Sequence, residues 1–239
     1  MTKQAIGIIG GMGPMATLDL FGKIIANTDA KTDAEHIRVY IDCHTGIPDR
    51  TQAILNGGES PVPYILESAK KLAAIGADFL LIPCNTSHYY YAQISEGAPI
   101  PVLNMIEETA KELKRRGVSC VGLLATDGTC RSGVYQKALA ACGIQTRCPT
   151  DEEQAEVMGL IYRGVKADAP AFDTTRLAAM IERLKKEGAQ SILLGCTELP
   201  LGFDRYGLSR EDTVDPAEIV ARVAIKRAGY AVKGDTDTF

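Results

Sequence analysis

The sequence lacks the features that mark most membrane, nucleic-acid-binding and metal proteins. No stretch approaches the ~18 consecutive apolar residues that a membrane-spanning helix needs. Lys and Arg (26 together) are balanced by Asp and Glu (30) and form no run, so a net charge of −4 argues against nucleic acid or an anionic membrane as the main partner. The three histidines, His36, His44 and His88, lie far apart, and no Cys/His group has ligand spacing. No metal site is therefore predicted.

Paired CxxC motifs are also missing, although the chain has seven cysteines. An odd number of unpaired cysteines in a chain of 239 residues indicates reduced thiols rather than a disulfide framework. The opening Met1-Thr2-Lys3-Gln4 leads directly into a strand-like run and does not have the pattern of a signal peptide. With 46% apolar and 23% charged residues, the composition is that of a soluble globular protein, and we expect a cytoplasmic one.

Short apolar runs alternate with longer helical patterns along the whole chain. Several of the runs are apolar throughout, which is typical of parallel strands covered by helices on both faces. The predicted strands are 5–9, 38–42, 79–82, 101–103, 121–124, 145–148 and 191–194. The predicted helices are 14–28, 61–75, 106–116, 133–142, 152–166, 174–187 and 216–228. This alternation predicts an α/β fold with mainly parallel sheets.

An internal repeat is the most informative feature of the chain. Residues 72–86 return 112 positions later as 184–198, and in both copies a cysteine, Cys84 or Cys196, stands eight residues after the glycine of a Gly-Ala pair. The run 6–10 likewise corresponds to 121–125. We therefore predict two similar Rossmann-like domains, each a three-layer unit with a parallel sheet, related by a pseudo-two-fold axis with the active site in the cleft between them. The first would comprise 1–99 with the C-terminal segment 209–239, and the second 100–208.

The segment Gly11-Met12-Gly13-Pro14-Met15-Ala16, directly after the first predicted strand, fits the dinucleotide pattern G-x-G-x-x-G/A. Taken literally, the pattern indicates a nicotinamide or flavin enzyme. However, Pro14 lies within the turn, and no acidic residue stands ~20 positions further on to bind ribose hydroxyls. Two other interpretations remain: a tight strand-to-helix turn, or a loop whose backbone N–H groups around Met12 bind a substrate carboxylate.

Cys84 and Cys196 each stand at the carboxyl end of a predicted strand, where open parallel sheets bind ligands. A helix that begins after Cys84 would favour its thiolate. A pseudo-two-fold would place the two sulfurs on opposite sides of a substrate, as proton removal from one face of a carbon and return on the other requires. The alternative is that both are inert buried thiols, which is the interpretation we give Cys120, Cys130, Cys142 and Cys148. His88, four residues after Cys84, could form a Cys–His pair, and His44 could reach the same edge, but a surface or capping role is the default for both.

Four motifs together resemble the aspartate/glutamate racemase superfamily, and its aspartate racemase branch most closely. They are Gly10-Gly11-Met12-Gly13-Pro14, Pro48-Asp49-Arg50-Thr51, Pro83-Cys84-Asn85-Thr86 and Gly195-Cys196-Thr197-Glu198. The resemblance covers essentially the whole chain. The glutamate racemase branch usually has a histidine where this chain has Glu198.

The resemblance implies a homodimeric amino-acid racemase that needs no cofactor and uses Cys84 and Cys196 as acid and base. It also implies a substrate site formed by Asp49, Arg50 and Thr51, by Asn85, Thr86 and Ser87, and by Lys166. To these we add Met12 of the glycine loop, Thr197 beside the second cysteine, and Thr126, the pseudo-symmetric counterpart of the glycine loop.

The expected substrate is an acidic amino acid, because Arg50 offers a bidentate fork for a carboxylate and Lys166 a second positive charge. Backbone N–H groups near Asn85, Thr86 and Thr197 could stabilise the enediolate that forms when the α-proton leaves. Two alternatives stay open. One is a related enzyme, such as a decarboxylase, a maleate isomerase or a hydantoin racemase, although a one-cysteine decarboxylation would not need the second thiol. The other is a non-catalytic sensor of acidic amino acids.

Overall fold

The computed structural model describes residues 3–235, so the outer limits of the predicted domains, at residues 1 and 239, lie outside the described range. All pairings between its strands are parallel. The strands form two sheets, ordered β2-β1-β3 and β5-β4-β6-β7. Their bounds are β1 Ile6–Gly10, β2 Val39–Cys43, β3 Phe79–Leu81, β4 Cys120–Ala125, β5 Gln145–Arg147, β6 Ser191–Gly195 and β7 Thr213–Val214. The predicted α/β class with parallel sheets is confirmed.

One predicted strand is wrong. At 101–103 the chain makes a single parallel bridge, between Val102 and Leu80, instead of a strand. Pro101 has no N–H to donate, so a longer ladder cannot form there. The two-residue strand β7 was missed because it is too short to show a pattern.

The predicted helices are present to within one residue at each end, apart from the one at 152–166. That segment is α-helical only to Gly159 and continues as a π-helix over Leu160–Lys166. Short helices in the connections were missed, and 3₁₀ turns lie at Asp33–Glu35 and Thr86–Tyr90. The α-helices are α1 Pro14–Asn27, α2 Arg50–Asn56, α3 Val62–Ala74, α4 Tyr91–Gly97, α5 Met105–Arg115, α6 Asp127–Ser132, α7 Val134–Ala141, α8 Asp151–Gly159, α9 Thr175–Lys186, α10 Glu198–Tyr206 and α11 Pro216–Arg227.

The chain divides into two compact units. The first unit contains the residues up to Pro48, Ser60–Glu108 and the residues from Ala217 onward. The second unit contains Asp49–Glu59 and Thr109–Pro216. These limits differ from the predicted domains, which placed 49–59 and 209–216 in the first and 100–108 in the second. The pseudo-two-fold axis and the cleft remain predictions.

The sequence repeat has a counterpart in the packing inside each unit. A Cβ added to Gly7 in β1 would lie 3.3 Å from the Cβ of Leu72, and one added to Gly122 in β4 would lie 3.4 Å from the Cβ of Leu184. In each unit, therefore, a leucine from the helix before the cysteine motif packs onto a glycine of the central strand. The repeated glycines and leucines are residues of one helix-on-sheet contact that occurs twice.

Helix α11 belongs to the core of the first unit. Its residues Val220, Ala224 and Ile225 are buried in one apolar cluster with Ile6 of β1 and Phe79 of β3. None of the helices within residues 3–235 combines the length and the apolar character that crossing a membrane requires.

Candidate active site

The glycine loop is a tight turn packed against its own unit. Gly11 has a φ of +88°, and a Cβ on it would lie 2.3 Å from the backbone carbon of His44. Thr17 ties the loop to α1, because its hydroxyl accepts a hydrogen bond from the Gly11 N–H at 2.9 Å and donates to the Gly13 carbonyl at 3.0 Å. Glycine at position 11 is thus required by the backbone of the neighbouring loop, which favours the strand-to-helix turn over the dinucleotide interpretation.

Cys84 lies three residues after the end of β3, is buried, and packs in the same apolar cluster as Met12. Its carbonyl oxygen accepts two hydrogen bonds, one from the Ser87 hydroxyl at 2.7 Å and one from His88 Nδ1 at 2.9 Å. A helix was predicted to begin after Cys84, and the structure has a 3₁₀ turn there, over Thr86–Tyr90. The first unit therefore brings together Met12, Cys84 and the buried segment Asn85, Thr86 and Ser87.

His88 has a structural role in this loop. Its Nε2 accepts a hydrogen bond from the Met105 N–H at 3.2 Å, at the start of α5, so Nδ1 carries the proton that it donates to Cys84. Burial lowers the pKa of His88 to about 4, and the ring is neutral near pH 7. Since both ring nitrogens bind backbone groups, the default capping role is the correct one, and His88 does not form a nucleophile pair with the Cys84 thiol.

Cys196 directly follows β6 in the second unit, and its buried thiol donates a hydrogen bond to Glu198 Oε2 at 3.0 Å. The Thr197 hydroxyl donates to the same oxygen at 3.3 Å, and Lys166 Nζ lies 3.8 Å from Glu198 Oε1. Burial, and then the charge of Glu198, raise the pKa of Cys196 well above its usual range, with Lys166 acting in the opposite direction. Near neutral pH Cys196 is therefore a thiol.

Lys166 ends the π-helix with its ammonium group 4.7 Å from the centroid of the Tyr162 ring, and its side chain is 27% exposed. Desolvation is the largest single effect and lowers its pKa, but Glu198, Cys196 and Tyr162 together raise it by more, so the net pKa is raised and Lys166 stays charged. The charge of buried Arg50 acts on Lys166 in the same direction as desolvation, which shows that the two cations lie close enough to interact.

Tyr162 contacts both Lys166 and the predicted substrate loop at Asp49. Its hydroxyl donates to Asp49 Oδ2 at 3.2 Å and also makes a hydrogen bond with Thr51. The other oxygen of Asp49 accepts from the Gln52 N–H at 2.8 Å and so caps α2, which begins at Arg50. The second unit thus brings together Asp49, Arg50, Thr51, Lys166, Cys196 and Thr197.

Sequence reasoning missed two members of this cluster, Tyr162 and Glu198. Each stood near a residue that was selected, since Tyr162 lies one helical turn before Lys166 and Glu198 lies two residues after Cys196. Thr126 has a different place in the second unit, where its hydroxyl accepts from the Thr129 N–H at 3.2 Å and caps α6. A contact between Thr126 and substrate remains a prediction.

The interpretation as an inert buried thiol fits Cys120, which is buried, and Cys130, whose pKa is raised to about 12 by burial. Cys148 is instead an exposed residue, although desolvation raises the pKa of its thiol. Within residues 3–235, no three His, Cys, Asp or Glu side chains come together as metal ligands would.

Comparison with known proteins identifies the family. Residues 9–224 match the model of the Asp/Glu/Hydantoin racemase family. Over 207 residues the chain is 32% identical to the broad specificity amino-acid racemase RacX of Bacillus subtilis, and this match covers 83% of this chain and 87% of that protein. Its fold is similar to that of the aspartate racemase of Picrophilus torridus, with a TM-score of 0.82, 35% identity and 96% of both chains covered. An aspartate racemase homologue from Pyrococcus horikoshii gives a TM-score of 0.76 at 29% identity, over 95% of this chain and 99% of that one. The chain belongs to the Asp/Glu/Hydantoin racemase family and is an isomerase of the racemase class.

Proposed function

We propose that this protein interconverts the L and D forms of an acidic amino acid, aspartate or glutamate, without a cofactor, and that Cys84 and Cys196 are its acid and base. The observation that carries the proposal is the cluster in the second unit, where the buried thiol of Cys196 lies in a charge network with Lys166, which in turn interacts with Arg50. The similarity to the Picrophilus torridus aspartate racemase supports the choice of an acidic substrate.

The reaction needs one thiolate and one thiol in each turnover. The thiolate removes the α-proton, so that an S–H bond forms while the C–H electrons move into the α-carboxylate as an enediolate. The thiol on the other side then donates its proton to the α-carbon, and the enediolate returns to a carboxylate. Cysteine suits both roles, because its ordinary pKa of ~8.5 lies close to neutrality.

The cations and backbone amides have separate roles in this proposal. Arg50 and Lys166 bind the two carboxylates of the substrate, and Asp49 and Thr51 shape the loop that carries Arg50. Backbone N–H groups at Met12, in the segment 85–87, and at Thr197 stabilise the enediolate charge, an effect that is often the largest in enzyme catalysis.

A second candidate is racemisation of neutral amino acids, since a relative with 32% identity is named as a broad specificity amino-acid racemase. A substrate panel distinguishes the two. Each enantiomer of aspartate, glutamate and several neutral amino acids is incubated with the protein in D2O, and α-deuterium and chirality are followed together.

We expect deuterium uptake with inversion for the acidic substrates and slower turnover of the neutral ones. The same activity should survive treatment with EDTA and the absence of pyridoxal phosphate. Binding of aspartate without exchange would instead identify a sensor. We also expect the protein to be cytoplasmic and to form a homodimer. Light scattering of the purified protein measures its mass in solution and so tests whether it is a dimer.

A further inference from the structure

The carboxylate of Glu198 is buried, and several neighbouring groups stabilise its negative charge. Its side chain is 5% exposed, and it stands at the first position of α10, where the positive end of the helix dipole favours a negative charge. One oxygen faces Lys166, and the other accepts hydrogen bonds from the Thr197 hydroxyl and the Cys196 thiol. A buried carboxylate needs such partners, because an unpaired charge in the interior is strongly unfavourable.

We propose that Glu198 is a positioning residue for Cys196: it holds the thiol hydrogen and so keeps Cys196 as the proton donor of the resting enzyme. A carboxylate 3.0 Å from the sulfur opposes formation of a second negative charge, and it orients the S–H bond that must later break. The base of the resting enzyme is then Cys84. This inference rests on the proposed two-cysteine reaction.

Other charged or titratable groups near Cys196 act on the same equilibrium. Lys166 favours the thiolate, and Arg50 acts on Lys166. Tyr135 of α7 also lies close to Cys196, but burial raises its pKa well above the usual range, so it is neutral. Burial raises the pKa of Cys196 most, and the remaining balance is set by Glu198, which raises that pKa, against Lys166, which lowers it.

The decisive experiment measures the ionisation of Cys196 directly. The ultraviolet absorbance of thiolate is followed against pH, and the signal of the other cysteines is removed by subtracting a matched protein that also carries Cys196→Ser. Glu198→Gln, which keeps the size and removes the charge, should lower the pH midpoint of Cys196 by about 1–3 units. Lys166→Met should raise it. Glu182→Gln, which removes an exposed carboxylate on α9, is the control and should leave the midpoint in place.

Shifts of opposite sign in the two variants would support the proposal, because a merely structural role for Glu198 predicts no such pair. An unchanged or raised midpoint in Glu198→Gln would overturn it. If Glu198→Gln does not fold, Glu198→Asp decides: it draws the carboxylate away from the sulfur and should lower the midpoint, so an unchanged or raised midpoint means that the carboxylate does not act on the thiol.

A kinetic measurement separates this proposal from the proposed function. If Cys196 is the acid, the alkaline limb of kcat/KM against pH should move down in Glu198→Gln by the same amount as the thiolate midpoint. A midpoint that moves in a protein without racemase activity leaves the Glu198–Cys196 coupling intact and refutes the proposed function. An active enzyme with an unmoved midpoint refutes the role of Glu198.

Discussion

The two cysteines occupy equivalent positions in the sequence repeat, but their immediate partners differ. At Cys84 the contacts from Ser87 and His88 are made to the backbone carbonyl, whereas at Cys196 the thiol itself is bound by Glu198. Equivalent positions in a repeat therefore do not imply equivalent chemistry. This difference in partners is the basis for assigning the two thiols different resting states.

Replacing either Cys84 or Cys196 with serine should reduce the rate of racemisation by about 10²–10⁴-fold, because a hydroxyl is too weak an acid to exchange roles with a thiol. Each variant keeps one base on one side of the substrate, so each should still exchange the α-proton of one enantiomer, with opposite preferences. Deuterium uptake into separate L and D substrates measures this. Cys43→Ser, at an exposed cysteine, is the control. Racemisation at the parent rate in both variants would mean that the two cysteines are structural.

Arg50→Ala and Lys166→Ala should weaken turnover of aspartate far more than turnover of a neutral amino acid. Each removes a charge-assisted contact of about 1.5–3 kcal/mol, roughly ten- to hundredfold in kcat/KM. Kinetics on a charged and a neutral substrate, with exposed Lys137→Ala as the control, provide the measurement. An equal loss on both substrates would contradict carboxylate binding and point to a structural role.

Buried His88 makes the stability of the protein depend on pH in a predictable direction. Its pKa is about 4 in the folded state against 6.5 when free, so the unfolded chain takes up the proton first as the pH falls. The full stabilisation is present above pH 6.5 and is lost between there and about pH 4, an effect of roughly 3 kcal/mol. His88→Asn cannot titrate and should lose less stability over this interval, as denaturant unfolding at several pH values would show. Equal pH dependence of the two proteins would refute the buried neutral ring.

At the scale of single elements, local backbone geometry controls where the site residues lie. The segment 152–166 looks like one helix in sequence, but it widens into a π-helix from Leu160. A π-turn holds more residues than an α-turn and so changes the direction of the residues after it, Lys166 among them. Such wide turns are often found at functional sites.

The turn between β1 and α1 allows a test of whether local backbone geometry requires a glycine at position 11. Gly11→Ala should destabilise the protein by about 3 kcal/mol or more, because it combines a positive φ with a backbone clash at 2.3 Å. Gly22→Ala inside α1 meets nothing within 4 Å and should instead stabilise by about 0.5–1 kcal/mol. Free energies of unfolding from denaturant titrations measure both. A Gly11→Ala variant as stable as the parent would mean that the loop has room to move away from His44.

At the scale of the whole molecule, the C-terminal helix completes the core of the first unit. Ile225 of α11 packs in one cluster with Ile6 of β1, more than 200 positions earlier in the chain. The first unit is therefore discontinuous in sequence, because its core includes a helix that follows the second unit along the chain.

Ile225→Ala should lower the free energy of unfolding by about 2–5 kcal/mol, because it leaves a cavity in this core. Ile25→Ala makes the same chemical change at a site that is 44% exposed, and its effect should stay within about 0.5 kcal/mol. Denaturant unfolding with two spectroscopic probes compares the variants. Similar small effects at both positions would contradict the packing of α11 into the core.

The order of strands and helices was readable from sequence because it depends on local patterns. The apolar runs and the repeat placed Cys84 and Cys196 after strands, and in the structure Cys84 follows β3 by three residues and Cys196 follows β6 directly. The four motifs also identified the family that the comparisons confirm. The strands and most helices could be predicted because each depends on neighbours along the chain.

The contacts that give the site its chemistry were decided only by tertiary structure. Lys166 and Glu198 are 32 residues apart, Asp49 and Tyr162 are 113 apart, and His88 reaches the N–H of Met105 across a loop. No local pattern encodes such pairs, because each depends on how several elements pack at once. Sequence therefore determined which residues stand at the strand ends. The fold decided what surrounds them: it buries a carboxylate beside the sulfur of Cys196 and places Lys166 beside that carboxylate.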